Sequence, residues 1–443
     1  MKLIAYMGPS PAAVLPPAAV LPPAVPPAAV PPAAVPPPAA VPPPAAASPP
    51  WVSPRSAYVH IPFCAHHCGY CDFAVTAGQD QLIEHYIDAL LAELQTLGEP
   101  WPVETLFVGG GTPTYPGPAQ LERILAALNH WLPCPGGEFS VEATPDSLTD
   151  EKAGLLAAHG VTRVSLGVQS FDPRTLAALD RRHTADEVPR AVAAARRHGL
   201  HLSLDLIFAA PGSSLRSWND DLDAALALAP DHVSCYGLTY EKGTPLWKAR
   251  RRGDVVPVGE DDELAMFQAA IDRLTAAGFD HYEVSNFARP GFRCRHNERY
   301  WANEAYLGFG VGAARYVGGR REVNTRDTRT YIRKVLAGEP ATFQSETLAP
   351  RDRAFETVGT QLRRSCGIDR GRFREQTGFV LDDLLGERLT RAVDLGLLAD
   401  DGPSVRLTRR GLYVADGVIT FLMTRPEQPS RPLTLRTRDT TGS

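Results

Sequence analysis

From Tyr58 onward, short apolar runs alternate with amphipathic stretches six times in succession. The strand candidates are Tyr58–Phe63, Thr105–Gly109, Phe139–Ala143, Arg163–Val168, Leu202–Phe208 and His232–Leu238. Between and after them lie helical stretches at Leu82–Leu97, Ala119–Trp131, Glu151–His159, Glu187–His198, Leu215–Leu228 and Asp261–Gly278. A parallel neighbour can be reached only through a crossover, so repeated strand–helix units predict a parallel sheet covered by helices. About six such units fit a partial or full (β/α) barrel better than an open doubly wound sheet. The fold class expected is therefore α/β. The unusual residues support the barrel: Gly109–Thr112, Glu142, Gln169, Asp205 and Gly237 fall at or near the C-terminal ends of consecutive strands. In a barrel those ends share the face on which a site is built.

The flanks read differently. Nineteen of the 41 prolines fall in the first 54 residues, in a Pro/Ala/Val-rich run that can neither continue helices nor donate to a sheet. It reads as an extended, disordered spacer, and its prolines and single early lysine make it a poor signal peptide. After the barrel, the sequence to Val317 reads as irregular and rich in Gly, Arg and aromatics. Helical patterning resumes near Ala349, with Leu381–Leu397, a hairpin-like LLADDGPSVRLT and a helix from Arg410 to about Phe421. Helices and a two-strand wing suggest a winged-helix-like module. The expected organisation is a disordered segment over 1–55, a core barrel over 56–290, a connecting region over 291–345, the C-terminal module over 346–424 and a disordered tail over 425–443.

Composition excludes several classes. A net charge of −5 and a wing without a basic stripe argue against a nucleic-acid partner. No apolar run reaches the length of a membrane span. Seven cysteines, three of them within eight positions, make a ligand pattern and not a disulfide framework. That usage points to a reducing, cytoplasmic setting.

The three cysteines are Cys64, Cys68 and Cys71, in YVHIPFCAHHCGYCDF. Their spacing lets one loop wrap three thiolates around three corners of a [4Fe–4S] cluster, leaving the fourth iron for an exchangeable small molecule. The alternative is a zinc site with His66 or His67 as fourth ligand, although structural zinc usually takes two separated ligand pairs. Cys134, Cys235, Cys294 and Cys366 are isolated and read as small packed residues.

At this motif the chain resembles the radical S-adenosylmethionine (SAM) superfamily. More narrowly it resembles the oxygen-independent coproporphyrinogen III oxidase group, and within it the HemW-type haem chaperones. YVHIPFC, LFVGGGTPT, SVEATPDSL, RVSLGVQSFD, DLIFAAPG, YEVSNFARPG and RHNERYW carry the resemblance in order, from about Ala57 to Leu422. It implies cluster ligation by Cys64, Cys68 and Cys71, with SAM on the open iron. It implies SAM contacts for Tyr58, Tyr70, Gly110, Gly111, Thr112 and Glu142. Gln169, Arg181, Asp205 and Gly237 match positions that hold a second SAM in the oxidase, and whether one or two bind here stays open. For Asp205 the alternative is a buried, hydrogen-bonded carboxylate that only organises the barrel.

Two features separate chaperone from oxidase. The oxidases carry a fourth cysteine where this chain has Phe73, and His296-Asn-Glu-Arg-Tyr300-Trp301 matches the HNxxYW motif of the chaperones. The resemblance therefore implies a haem chaperone, with a haem-acceptor protein as partner and an electron donor such as flavodoxin or ferredoxin. The alternatives are the oxidase reaction, oxidative decarboxylation of coproporphyrinogen III, and a radical SAM reaction on an unrelated substrate. His296, Tyr300 and Trp301 are haem candidates, and Arg293 and Arg295 could pair with the propionates. Against that stands a solvated basic loop with His296 as a structural hydrogen-bonding group. The chain departs from the chaperone pattern at Ala143-Thr-Pro-Asp and around Phe355.

Overall fold

The inner and outer faces of the sheet follow directly from period-two alternation in its strands. In the first strand, β1 (Ser56–Ile61), Ala57, Val59 and Ile61 join the main apolar core, while Ser56, Tyr58 and His60 take the other face. The same division runs through β2 (Thr105–Gly110), β3 (Glu138–Ala143), β4 (Arg163–Gln169), β5 (His201–Phe208) and β6 (His232–Gly237). One cross-strand row on the inner face reads Tyr58, Phe107, Ser140, Arg163 and His201. The next reads Glu142, Ser165, Ser203 and His232, so the interior of the barrel is polar where most sheet interiors are not.

The computed structural model describes residues 48–424; most of the segment expected to be disordered over 1–55, and the tail from Arg425, lie outside the described residues. Ser48–Arg55 are ordered, in contrast to the expectation. A turn at Pro49–Ser53 is followed by the Arg55 carbonyl accepting Glu104 N–H at 2.8 Å, and the Pro50 carbonyl accepts Ala305 N–H at 2.9 Å.

The six parallel strands lie in sequential order, as a singly wound barrel requires; a doubly wound sheet would reverse direction midway. Their helices form one outer layer: α1 (Ile83–Gln95), α2 (Pro118–Trp131), α3 (Asp150–Ala158), α4 (Glu187–Arg197), α5 (Leu215–Ala227) and α6 (Glu260–Ala276). Sequence neighbours α1 and α2, α2 and α3, α3 and α4, and α5 and α6 pack side by side. In α1 the stripe Ile83, Ile87, Leu90 and Leu94 repeats at helical spacing and is buried on the sheet. Each such leucine contributes about 2–3 kcal/mol, and Leu90→Ala would cost about 2–5 kcal/mol.

The region expected to be irregular before Val317 is in fact structured. It holds β7 (Asp280–Glu283) and β8 (Asn286–Ala288), antiparallel additions beyond β6, then α7 (Arg295–Trp301) and β9 (Leu307–Phe309). β9 pairs parallel to β1 on the opposite edge, giving the order β9-β1-β2-β3-β4-β5-β6-β8-β7. Among the described residues β9 and β7 do not pair, so the barrel is partial. Strands of three or four residues are too short to show a period, which is why the sequence hid them.

The C-terminal module has its own core around Phe355, Val358, Phe373, Leu389 and Val418. The helix expected at Leu381–Leu397 breaks at Gly386, whose φ of 55° favours glycine, into Leu381–Leu385 and Glu387–Asp394. The one expected from Arg410 is likewise two short helices, Arg409–Leu412 and Ala415–Met423. The wing forms as expected, Leu398–Asp400 antiparallel to Ser404–Leu407.

Candidate functional site

β1 runs into a loop that carries Cys64, Cys68 and Cys71 over the C-terminal ends of the strands. All three line a cavity of about 180 Å³. Eight of the ten residues expected at SAM line the same cavity: Tyr70, Gly110, Gly111, Thr112, Glu142, Gln169, Arg181 and Asp205. The ends of four strands and two loops thus converge on the space beside the thiols.

Local geometry explains the residue types. Gly110 has φ 118°, and a Cβ there would stand 2.6 Å from the His60 ring. His60 is itself fixed, with Nδ1 3.0 Å from the Tyr58 hydroxyl and Nε2 2.9 Å from the Ala74 carbonyl. Burial lowers its pKa to about 4, so the ring is a neutral prop under the glycine turn. Gln169 has φ 65°, at a register shift between Gly167 and Gln169 that turns its side chain into the cavity.

Charges at the site are buried and held. Glu142 accepts the Gly110 N–H at 2.9 Å, and burial pushes its carboxyl above the usual range, with Asp205 adding to the rise. Asp205 is also raised by burial, against hydrogen bonds from Ser234 and from Ser165 at 2.9 Å. Arg181 directs Nη1 to the Cys68 sulfur at 3.6 Å and Nη2 to the Gly167 carbonyl, while its buried Nε has no partner. Burial pushes the Cys64 thiol up to about 12, with Thr112 opposing at 3.5 Å, and a bound cation would favour its thiolate.

These residues fit an iron–sulfur cluster with a bound small molecule better than zinc. His66 Nε2 lies 2.9 Å from Asp180 and His67 Nε2 lies 3.0 Å from the Cys71 carbonyl, so neither completes a fourth position. Among the described residues no three His, Cys, Asp or Glu side chains converge on one ion-sized point. A cluster instead gives each of the three thiolates its own iron. The glycine turn, Glu142 and the unpartnered Arg181 Nε then face the open side as amide, carboxylate and cation for an amino-acid headgroup.

Two of the ten expected SAM residues do not themselves line this cavity. Tyr58 packs inside the barrel with Phe107, Tyr282 and Cys294, and its hydroxyl reaches His60 under the Gly110 turn. At Gly237 a side chain would face Phe208 and Glu263, and its neighbour Tyr236 lines the cavity. Ser165 and Ile207 also line it and were missed; alternation from Gly167 and Asp205 could have found both. Cys366 is exposed, not packed.

The haem candidates occupy the other end of the barrel, where the ring side chains are closed and Arg293 and Arg295 are exposed. His296 is 0 % exposed, with Nδ1 2.9 Å from the Thr105 hydroxyl and its ring 5.2 Å from that of Phe107. Burial lowers its pKa to about 3. Tyr300 and Trp301 are buried too. Arg293 pairs with Asp280 and Glu298, and Arg295 with Glu104. In this conformation His296 is hydrogen-bonded through Nδ1 while its buried Nε2 has no partner among the described residues, and the two arginines are engaged. The residue that sequence reasoning missed here is Glu138. Its carboxylate accepts the Arg295 and His296 amides and meets Arg163 at 3.3 Å, anchoring α7 under the barrel.

Known proteins match in the same pattern. The radical SAM superfamily matches residues 58–225, and the HemN C-terminal domain matches residues 348–414. The "Heme chaperone HemW" of Lactococcus lactis is 36% identical over 83% of this chain and 96% of its own length. That of Mycobacterium tuberculosis is 38% identical over 84% of this chain and 95% of its own. Among solved structures, coproporphyrinogen III oxidase (HemN) of Escherichia coli, a radical SAM enzyme, aligns with TM-score 0.73. It is 25% identical over 83% of this chain and 90% of that one. No helix among the described residues is long and apolar enough to cross a membrane.

Proposed function

Because the chain belongs to the HemW family of haem chaperones within the radical SAM superfamily, we propose that it binds haem and passes it to an acceptor protein. It does so with a [4Fe–4S] cluster on Cys64, Cys68 and Cys71 and SAM in the cavity beside them. The observation that carries the site assignment is the convergence of the three thiols and eight SAM candidates on one cavity. When bound, cluster and SAM together supply one-electron chemistry at the sulfonium.

The chain's own residues bind and orient. The Gly110–Thr112 turn offers backbone amides and a hydroxyl, Glu142 takes an amino group, and Asp205 and Gln169 face the remainder of the ligand. Arg181 holds the Cys68 sulfur and the Gly167 carbonyl at once, tying the cluster loop to β4. Phe73 in place of a fourth cysteine, together with the named chaperone relatives, favours haem transfer over decarboxylation. His296 reaches a haem only if α7 separates from Thr105 and Phe107, so haem contact there belongs to an opened form.

The test is anaerobic cluster reconstitution followed by haem titration and transfer to an apo-haem protein, for wild type and His296→Ala. One-to-one haem uptake and transfer without turnover supports the reading. Carbon dioxide release from coproporphyrinogen III, with no haem uptake, would make the protein an oxidase.

A further inference from the structure

After β6 the chain forms a short helix, Pro245–Arg252, whose sequence PLWKARRR places four basic residues in eight. This helix is joined to the cluster loop. The Leu246 N–H donates to the Gly69 carbonyl at 2.8 Å, between Cys68 and Cys71. Leu246 also shares an apolar cluster with Tyr70, and Cys68 packs against it.

Away from that seam the helix is cationic and open: Lys248, Arg251 and Arg252 lie opposite Leu246, and Arg250, four residues on from Leu246, flanks it. Lys248, Arg250, Arg251 and Arg252 are exposed, as is Lys242 just before them. Arg250 is held over the Tyr240 ring at 4.7 Å and Arg251 over Trp247 at 5.2 Å. Among the described residues Lys248, Arg250 and Arg251 have no ion-pair partner, whereas Arg252 pairs with Asp254. Arg123, Arg370 and Arg372 elsewhere on the surface are neutralised by carboxylates, whereas single exposed arginines such as Arg216 and Arg410 stand unpaired among the described residues; in this helix three such cations fall within four residues. Val256, four residues beyond Arg252, is 79% exposed. On a chain of net charge −5 this is a local reversal of sign. The acidic first turn of α6, from Glu260 to Glu263, follows it and gives the face a polarity that would orient a charged visitor.

We propose that this helix is the docking surface for a small acidic one-electron carrier protein that reduces the cluster. The assignment rests on the radical SAM reading and adds to it the place and charge of the partner. The cationic face lies one helix diameter, about 10 Å, from the loop that holds the cysteines. A negatively charged carrier is steered there by long-range attraction and stops beside Cys68 and Cys71. One electron leaves the reduced carrier and one is gained by the cluster; no bond forms or breaks and no proton moves.

The experiment compares full-length wild type, Lys248→Glu/Arg250→Glu/Arg251→Glu, and Arg190→Glu as a distant control, each reconstituted with its cluster. Cluster reduction is followed by absorption and electron paramagnetic resonance, with hydroquinone flavodoxin as the carrier and photoreduced deazaflavin as a small reductant. The triple variant should be reduced by flavodoxin at least tenfold more slowly at low salt and lose most of its salt dependence. Deazaflavin should reduce all three alike. Equal flavodoxin rates and equal salt dependence in wild type and triple variant would overturn the docking assignment. Failure of the wild type to hold a cluster that deazaflavin reduces would overturn the radical SAM reading itself.

Discussion

The Glu138 carboxylate accepts the backbone N–H of His296 at 3.1 Å across 158 residues of chain. The residue preceding α7, Cys294, supplies no side-chain cap, so a strand residue caps the helix from a distance. The same carboxylate partners buried Arg163. Glu138→Ala therefore removes a cap and strands a buried cation, and apoprotein stability should fall by about 3–5 kcal/mol in chemical denaturation. Glu138→Gln keeps an acceptor and should lose less.

His296→Ala should also destabilise the apoprotein. It leaves a hole beside Phe107 and the Thr105 hydroxyl without its ring partner, at a cost of about 2–4 kcal/mol. A residue kept only to ligate haem would leave the apoprotein melting temperature unchanged, so calorimetry without haem decides between the two roles.

Gly110→Ala puts a methyl group into the His60 ring at a backbone angle that side chains disfavour. Apoprotein stability should drop by about 2 kcal/mol or more. SAM affinity of the reconstituted protein, measured by equilibrium dialysis, should fall at least tenfold.

Glu142→Gln should change the pH dependence of stability. The native Glu142 carboxyl is raised by burial, so the folded state holds a proton that the unfolded chain releases at ordinary carboxylate pH. That stabilising contribution is complete below the unfolded value and is lost as pH rises through the native one. Glutamine has no such loss. The melting temperature of the variant minus that of wild-type apoprotein should therefore climb between pH 5 and pH 8, and a flat difference would contradict the burial argument.

The six long strands were legible because each runs six to eight residues, enough for inward and outward faces to declare themselves. The cluster loop was legible because its ligands are local in sequence. Tyr236, beside the expected Gly237, was not legible as a cavity residue, because in a strand one residue is the whole difference between cavity and helix layer. The burial of His296 could not be read at all. It depends on Thr105, Phe107 and Glu138, which are remote in sequence and meet only once the barrel exists. The motif announced importance without saying which surface it served.

The pairing of β1 with β9 fixes an order of events during synthesis. Ala57 lies opposite Leu307, so the edge of the strand that leads into the ligand loop stays bare until 250 more residues have been made. At about 5–20 residues per second that is roughly 12–50 s of ribosome time. The Glu93 carboxylate and Tyr86 hydroxyl, which accept Gly310 and Val311 N–H, wait 217 and 225 residues for their donors. Until then the three cysteines stand on an unfinished scaffold.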